Sequence, residues 1–172
     1  MGNREYEELA AETAALPLLF SIPHSPFPIP SLMRADFYLI ANKPPFIEQP
    51  LLLVCELAKK AYAAQQPTLI LARDHEQAHE IDELLWAFDD DAMIPHQLAG
   101  DDDDEFTAVL IVPPGVDTPD RPLLINLRDR CPDQPCERVL EVVPADPDAR
   151  DGSRERWREY QRRGFELHKS DQ

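Results

Sequence analysis

His75 and His79, one helical turn apart with Glu76 beside them, are the residues in this sequence best spaced for bond-breaking chemistry. In the pattern H-E-x-x-H, two imidazoles bind zinc and the glutamate activates a bound water. A zinc-dependent hydrolase is therefore the enzymatic alternative. The surrounding periodicity works against it. At about 100° per residue, the apolar stripe of this segment runs through Ala78, Ile81, Leu84, Leu85 and Phe88 and turns His75 and His79 toward solvent. A catalytic zinc also needs a third ligand and a water-excluding cleft, and no obvious ligand follows in the sequence. Cys131 and Cys136 make a single pair where a closed zinc site takes four ligands. The chain has no G-x-x-x-x-G-K-S/T, no G-x-G-x-x-G and no G-x-S-x-G, and its five glycines leave little to build a phosphate cradle from. The expectation is no catalytic residue, no metal and no cofactor.

Two features suit binding better than catalysis. Trp86 lies about 150° from the centre of its apolar stripe, on the side of His79 and Asp82, so a large aromatic ring points out of the core. It is either a contact residue or packed under a loop or the C-terminal helix. Further on, Arg150, Arg154 and Arg158 recur at i, i+4 and i+8 with Trp157 beside them. That strip is either a solvated helix face or a grip for a carboxylate-rich peptide through charge-assisted hydrogen bonds. The net charge of −16 disfavours direct non-specific binding to nucleic acid, because Lys and Arg neutralising phosphate drive such binding. Yet six arginines stand against three carboxylates between Arg150 and Arg163. A basic patch on an acidic chain selects an acidic partner locally.

These residues must be positioned by one compact domain, for which 172 residues suffice. Residues 1–32 read as a poorly ordered, Pro-rich N-terminal extension, since Pro17, Pro23, Pro26, Pro28 and Pro30 repeatedly remove backbone donors. Residues 33–172 hold the domain. Strands are expected at 36–40, 68–72, 108–112, 123–127 and 138–143, and helices at about 50–64 and at 75–88 with Asp74 as cap. A last helix takes Asp146 as cap and Pro147 as first residue, and stops at Gly164. Alternating strands and helices predict an α/β fold, a three-layer αβα domain whose central sheet is mainly parallel (mixed) and covered on both faces. No apolar run reaches the roughly 20 residues of a membrane span. Glu7, Glu8 and Glu12 do not suit a secretory signal, and three cysteines suggest no disulfide framework. A reduced, cytoplasmic protein is expected.

A series of short motifs gives the chain a family likeness. They are Asp36-Phe-Tyr-Leu, Val54-Cys-Glu-Leu-Ala, Asp82-Glu-Leu-Leu-Trp86, Ile94-Pro-His-Gln-Leu-Ala-Gly100, Leu124-Ile-Asn-Leu-Arg128, Val142-Val-Pro144 and Arg154-Glu-Arg-Trp-Arg-Glu-Tyr with Gly164-Phe165. In this order and spacing, over residues 34 to 167, the chain resembles the chi subunits of bacterial DNA polymerase III. The resemblance implies an accessory replisome protein with a nucleotide-binding-like topology but no phosphate loop and no nucleotide. It implies pairing with the psi subunit of the clamp-loader complex, no membrane partner, and contact with nucleic acid only indirectly. It also implies a site for the acidic C-terminal tail of single-stranded DNA-binding protein, which ends in Pro-Phe. By motif, the tail site falls on Trp86, Arg154, Trp157 and Arg158, with Arg150 added, so that the tail would lie between the last helix and Trp86. The psi-binding residues are not assigned this way. Residues 1–32 have no counterpart in the family, Trp157 stands where tyrosine is commoner, and Gly152 would weaken the last helix. The dense acidic run Asp101–Glu105 is read as an ordinary solvated loop; because Phe106 follows it and the run then resembles the tail ligand, the alternative is that it competes for the arginine strip of its own or a neighbouring molecule.

Overall fold

The computed structural model describes residues 32–40, 44–89 and 91–171. The expected N-terminal extension, apart from Leu32, lies outside the described residues.

Seven strands and three helices follow one another as β1 (Arg34–Leu39), α1 (Pro50–Ala63), β2 (Thr68–Leu71), α2 (His75–Phe88), β3 (His96–Leu98), β4 (Val109–Val112), β5 (Leu123–Asn126), β6 (Arg138–Val143), a 3₁₀ turn (Pro147–Arg150), α3 (Asp151–Arg162) and β7 (Glu166–Asp171). The strands form one sheet in the order β3-β4-β2-β5-β6-β1-β7. Every pairing among them is parallel. β2, β4 and β5 are short runs buried at all positions, as strands covered on both faces must be. Helices α1 and α2 cover one face, with Leu53, Leu57, Ile81 and Leu85 packed in the same core as Ile70, Ile111 and Ile125. On the other face α3 supplies Tyr160 and Trp157 to a core of Phe37, Leu71, Leu110 and Leu124. The three-layer α/β expectation holds.

Local chemistry sets the helix ends. Pro50 opens α1 at a position whose missing donor costs nothing. The Asp74 carboxylate accepts from Gln77 N at 2.8 Å, and the Gln77 side chain accepts from Arg73 N at 2.8 Å, a reciprocal cap on α2. Asp146 accepts from Asp148 N at 3.0 Å and starts the 3₁₀ turn that leads into α3. Gly164, at φ +83°, takes the left-handed conformation that ends α3.

The orientation of α3 about its axis is fixed by a buried polar cluster. Glu141 of β6 has no exposed surface. One carboxylate oxygen accepts from Tyr160 Oη and Asn126 Nδ2, each at 2.7 Å, and the other from Arg156 Nε at 2.9 Å. Burial pushes the Glu141 carboxyl above its ordinary range, opposed by Arg156 and the two neutral donors. With Arg156 and Tyr160 turned inward, helical geometry sends Arg154 and Arg158 outward. Gly152 fits here, since a Cβ in its place would lie 3.4 Å from the Arg156 guanidinium. Beyond the carboxyl ends of the strands, where such folds bind ligands, the Arg128 guanidinium donates to the carbonyls of Ala72, Val112 and Pro113 at 3.0 to 3.2 Å.

Candidate functional site

The basic strip borders a groove of about 420 Å³. One wall is the first half of α3 with the turn before it: Arg150, Ser153, Arg154, Trp157 and Arg158. Phe37 and Leu39 of β1 and Val143 of β6 form an apolar floor, and Lys169 of β7 stands on the far side. Register explains the floor. Phe37 lies opposite Lys169 and Leu39 opposite Val143, and residues two apart on a strand share a face. The Trp157 ring packs edge-on against Phe37, centroids 4.8 Å apart, and the Lys169 ammonium sits 5.2 Å from its centre on a π face.

The arginines of the strip differ in what already holds them. Arg150 donates from Nε to the Pro144 carbonyl at 2.8 Å and from Nη2 to the Ala145 carbonyl at 2.5 Å, fastening the start of the helical segment to the end of β6. Arg154 pairs with Asp151 at 2.6 Å, an exposed i,i+3 contact worth at most about 1 kcal/mol. Arg158 is exposed and has no hydrogen bond or ion pair among the described residues. Farther along α3, Arg163 binds Glu159 at 2.7 Å, and Arg162 also pairs with Glu159. Arg154 and Arg158 are thus the arginines best placed to take a carboxylate from outside.

Trp86 does not join this groove. It lies on α2, in the helix layer of the opposite face, and its ring packs at a 55° tilt against His96 at the start of β3, centroids 4.7 Å apart. Five strand-to-strand steps of roughly 4.8 Å separate β3 from β1, about 24 Å of sheet. The expected placement of a tail between the last helix and Trp86 is therefore corrected: the α3 groove and Trp86 belong to different edges. Of the two readings left open for Trp86, exposure wins, at 72%. The segments flanking β3 also expose Met93 at 84% and Phe106 at 86%. His96 holds the Trp86 ring from beneath, with Nδ1 2.7 Å from the Ile94 carbonyl and Nε2 3.7 Å from Asp82.

The acidic run is partly structural. The Asp104 carboxylate is buried, accepting from Gly100 N and Gln97 Nε2 at 2.8 Å each. Because the loop joins β3 to β4, it cannot reach the groove of its own molecule. His75 and His79 face solvent, and no group of three His, Cys, Asp or Glu side chains among the described residues is placed to hold a metal. Burial raises the thiol pKa of Cys131, and that of Cys136 to about 11, which keeps both protonated and poor as ligands. None of the described helices is long and apolar enough to cross a membrane.

Lys169 escaped the sequence reading. β7 offers Leu167 as its one apolar residue, so its alternation is invisible in sequence, and nothing local says that it pairs with β1. β3 was missed for a related reason, being three residues long.

The model of the family described as "DNA polymerase III chi subunit, HolC" matches residues 32–168. The chain belongs to the DNA polymerase III chi subunit family. It is 35% identical over 139 residues to the DNA polymerase III subunit chi of Pseudomonas aeruginosa, a match covering 79% of this chain and 94% of the relative. It is 32% identical over 144 residues to the subunit chi of Escherichia coli, covering 79% and 96%. For the subunit chi of Haemophilus influenzae the identity is 31% over 137 residues, covering 77% and 93%. The resemblance carried by the short motifs thus extends across the α/β domain.

Proposed function

We propose that the chain is a non-catalytic accessory subunit of the clamp-loader complex that joins two partners at opposite edges of its sheet. The α3 groove takes the acidic C-terminal tail of single-stranded DNA-binding protein, and the Trp86 edge pairs with psi. One observation carries the tail reading: an apolar floor of Phe37, Leu39 and Val143 rimmed by Arg154, Arg158 and Lys169, on a chain of net charge −16. A peptide with several carboxylates and an apolar, aromatic end matches that distribution. Trp157 and the floor receive the aromatic side chain, and the cations receive the acids. DNA is met indirectly, through the protein that coats it.

The Trp86 edge fits the second partner because Trp86, Met93 and Phe106 leave large apolar side chains in water there. The hydrolase alternative has no third zinc ligand among the described residues.

The tail reading is tested by titrating a labelled peptide, several Asp followed by Ile-Pro-Phe, into the full chain. Binding is expected at around micromolar Kd, roughly −8 kcal/mol. It weakens as salt shortens the Debye length from about 10 Å at 0.1 M to about 3 Å at 1 M. No binding at low salt would rule the groove out.

A further inference from the structure

We propose that the crevice outside the carboxyl ends of β2, β5 and β6 binds a small phosphate-type anion, held by the guanidinium groups of Arg73, Arg128 and Arg156.

The crevice follows from the topology. β5 lies between β2 and β6. The chain leaves β2 for α2 on one face of the sheet and leaves β6 for α3 on the other, so the two connections diverge above β5. In parallel α/β sheets such a divergence opens a crevice where ligands bind. Here it is a cavity of about 250 Å³. That is below the roughly 300–1,000 Å³ of pockets for drug-sized molecules and suits a smaller ligand. The first turn of each helix reaches it, through Leu51 of α1, Gln77 of α2 and Ser153 of α3. Each helix thereby turns the positive end of its dipole toward the cavity.

The three arginines of the lining keep donors unused. A guanidinium has five N–H donors. Arg128 gives Nε and Nη2 to the carbonyls of Ala72, Val112 and Pro113, and its Nη1 has no partner among the described residues. Arg156 donates from Nε to Glu141 at 2.9 Å, while its terminal nitrogens make only long contacts, 3.4 Å each, to the Asp129 carbonyl and the Ser153 hydroxyl. Arg73 pairs through Nε with Asp74 at 3.0 Å, and its terminal nitrogens have no partner among the described residues.

Clamping the strand ends accounts for the bonds of Arg128 but not for its charge. Carbonyls accept from it, and no carboxylate pairs with it among the described residues. Burial, and then Arg130 nearby, hold its guanidinium below the ordinary range, a condition that a bound anion relieves. Asp129 is the one carboxylate among the described lining residues, and it is exposed. Three guanidinium groups against one carboxylate concentrate positive potential on a chain of net charge −16. Their planar forks match the oxygens of a phosphate. Leu51, Val54 and Val142 leave an apolar wall beside them. The site is separate from the α3 groove, for the two share no cation.

The test titrates the full chain with sodium phosphate and with a nucleoside 5′-monophosphate by calorimetry, ionic strength being held constant with sodium chloride. Phosphate binds with a Kd on the order of 1 mM. Arg73→Gln, at an exposed position, weakens binding about fivefold, and Arg128→Gln removes it. Asp129→Asn tightens it about threefold. Arg158→Gln, in the α3 groove, changes neither affinity. A monophosphate at least about tenfold tighter than phosphate assigns the apolar wall to an organic moiety, whereas equal affinities assign the site to inorganic phosphate. Should Arg128→Gln fail to fold, Arg73→Gln and Asp129→Asn decide the matter. No binding of either ligand at about 20 mM overturns the proposal. So does binding that Arg73→Gln and Asp129→Asn leave unchanged, or that Arg158→Gln removes.

Discussion

The two edges of the sheet are chemical opposites. At the β1–β7 edge, Phe37, Leu39 and Val143 lie at the bottom of a groove whose rim is cationic. At the β3 edge, Trp86, Met93 and Phe106 stand out from the surface among acids, with Asp82 beneath Trp86 and Asp101, Asp102, Asp103 and Glu105 in the following loop. The supports differ too. The groove wall is fixed by Glu141, whose three hydrogen-bond partners include a guanidinium. The β3 edge rests on a three-residue strand and on a histidine whose Nε2 is buried without a hydrogen-bond partner. A cationic rim at one edge and an acidic surround at the other suit partners of different charge, so under the proposed function the two need not compete for one surface.

The largest effect should come from removing the support of the groove. Glu141→Ala leaves the partly buried Arg156 without its counter-ion and Tyr160 and Asn126 without their acceptor, and should lower unfolding free energy by about 3 kcal/mol in a denaturant titration. A surface change at the other edge, Glu83→Ala, should stay within about 0.5 kcal/mol. Equal losses would show that the two edges are supported alike.

Next in size is the exchange of binding defects. Arg154→Ala should cost about 2 kcal/mol of tail-peptide affinity, roughly 30-fold, while psi still copurifies. Trp86→Ala should do the reverse, leaving the peptide isotherm unchanged and losing psi. A Trp86→Ala variant that lost peptide binding while remaining folded would rejoin the two edges into one site.

A smaller effect follows from the protonation of Glu141. Its folded pKa is raised above the ordinary carboxylate value of about 4.3, chiefly by burial. The folded state therefore binds the proton more tightly than the unfolded state. Stability from this group is complete below the ordinary value and is lost as pH rises through the raised one. Glutamine mimics the protonated form and does not titrate. The Tm of Glu141→Gln relative to the unmodified chain should therefore rise as pH increases above the ordinary carboxylate value. A difference that fell over this range would contradict the direction of the shift.

The smallest expected effect is that of residues 1–32. With five prolines between Pro17 and Pro30 and no core pattern in their sequence, they are expected to leave neither edge dependent on them. A chain beginning at Met33 should keep its Tm and both binding activities; a drop of many degrees would show the segment to be part of the domain.

Much of the fold was legible because its signals are local. The continuous apolar runs at β2, β4 and β5 mark strands buried on two faces, and the stripe through Ala78, Ile81 and Leu85 marks one buried side of α2. The same periodicity correctly turned Trp86, His75 and His79 outward, and set Arg154, Trp157 and Arg158 on one stretch of helix. Those relations hold within a few residues, where 3.6 residues per turn fixes direction whatever the rest of the chain does.

What tertiary structure decided was which surfaces share an edge. β1 comes first in the sequence yet lies between β6 and β7, and no local period encodes that order. It brings Phe37 into one groove with Val143 and Lys169, each over a hundred residues away in sequence, and sends Trp86 to the far side of the sheet. Arg150, Arg154, Arg156 and Arg158 look alike in sequence. One binds carbonyls, one neutralises a buried carboxylate, one carries a weak exposed pair and one has no partner among the described residues. A side chain's direction is set by its own helix or strand, but what it meets there depends on strands packed from elsewhere in the chain.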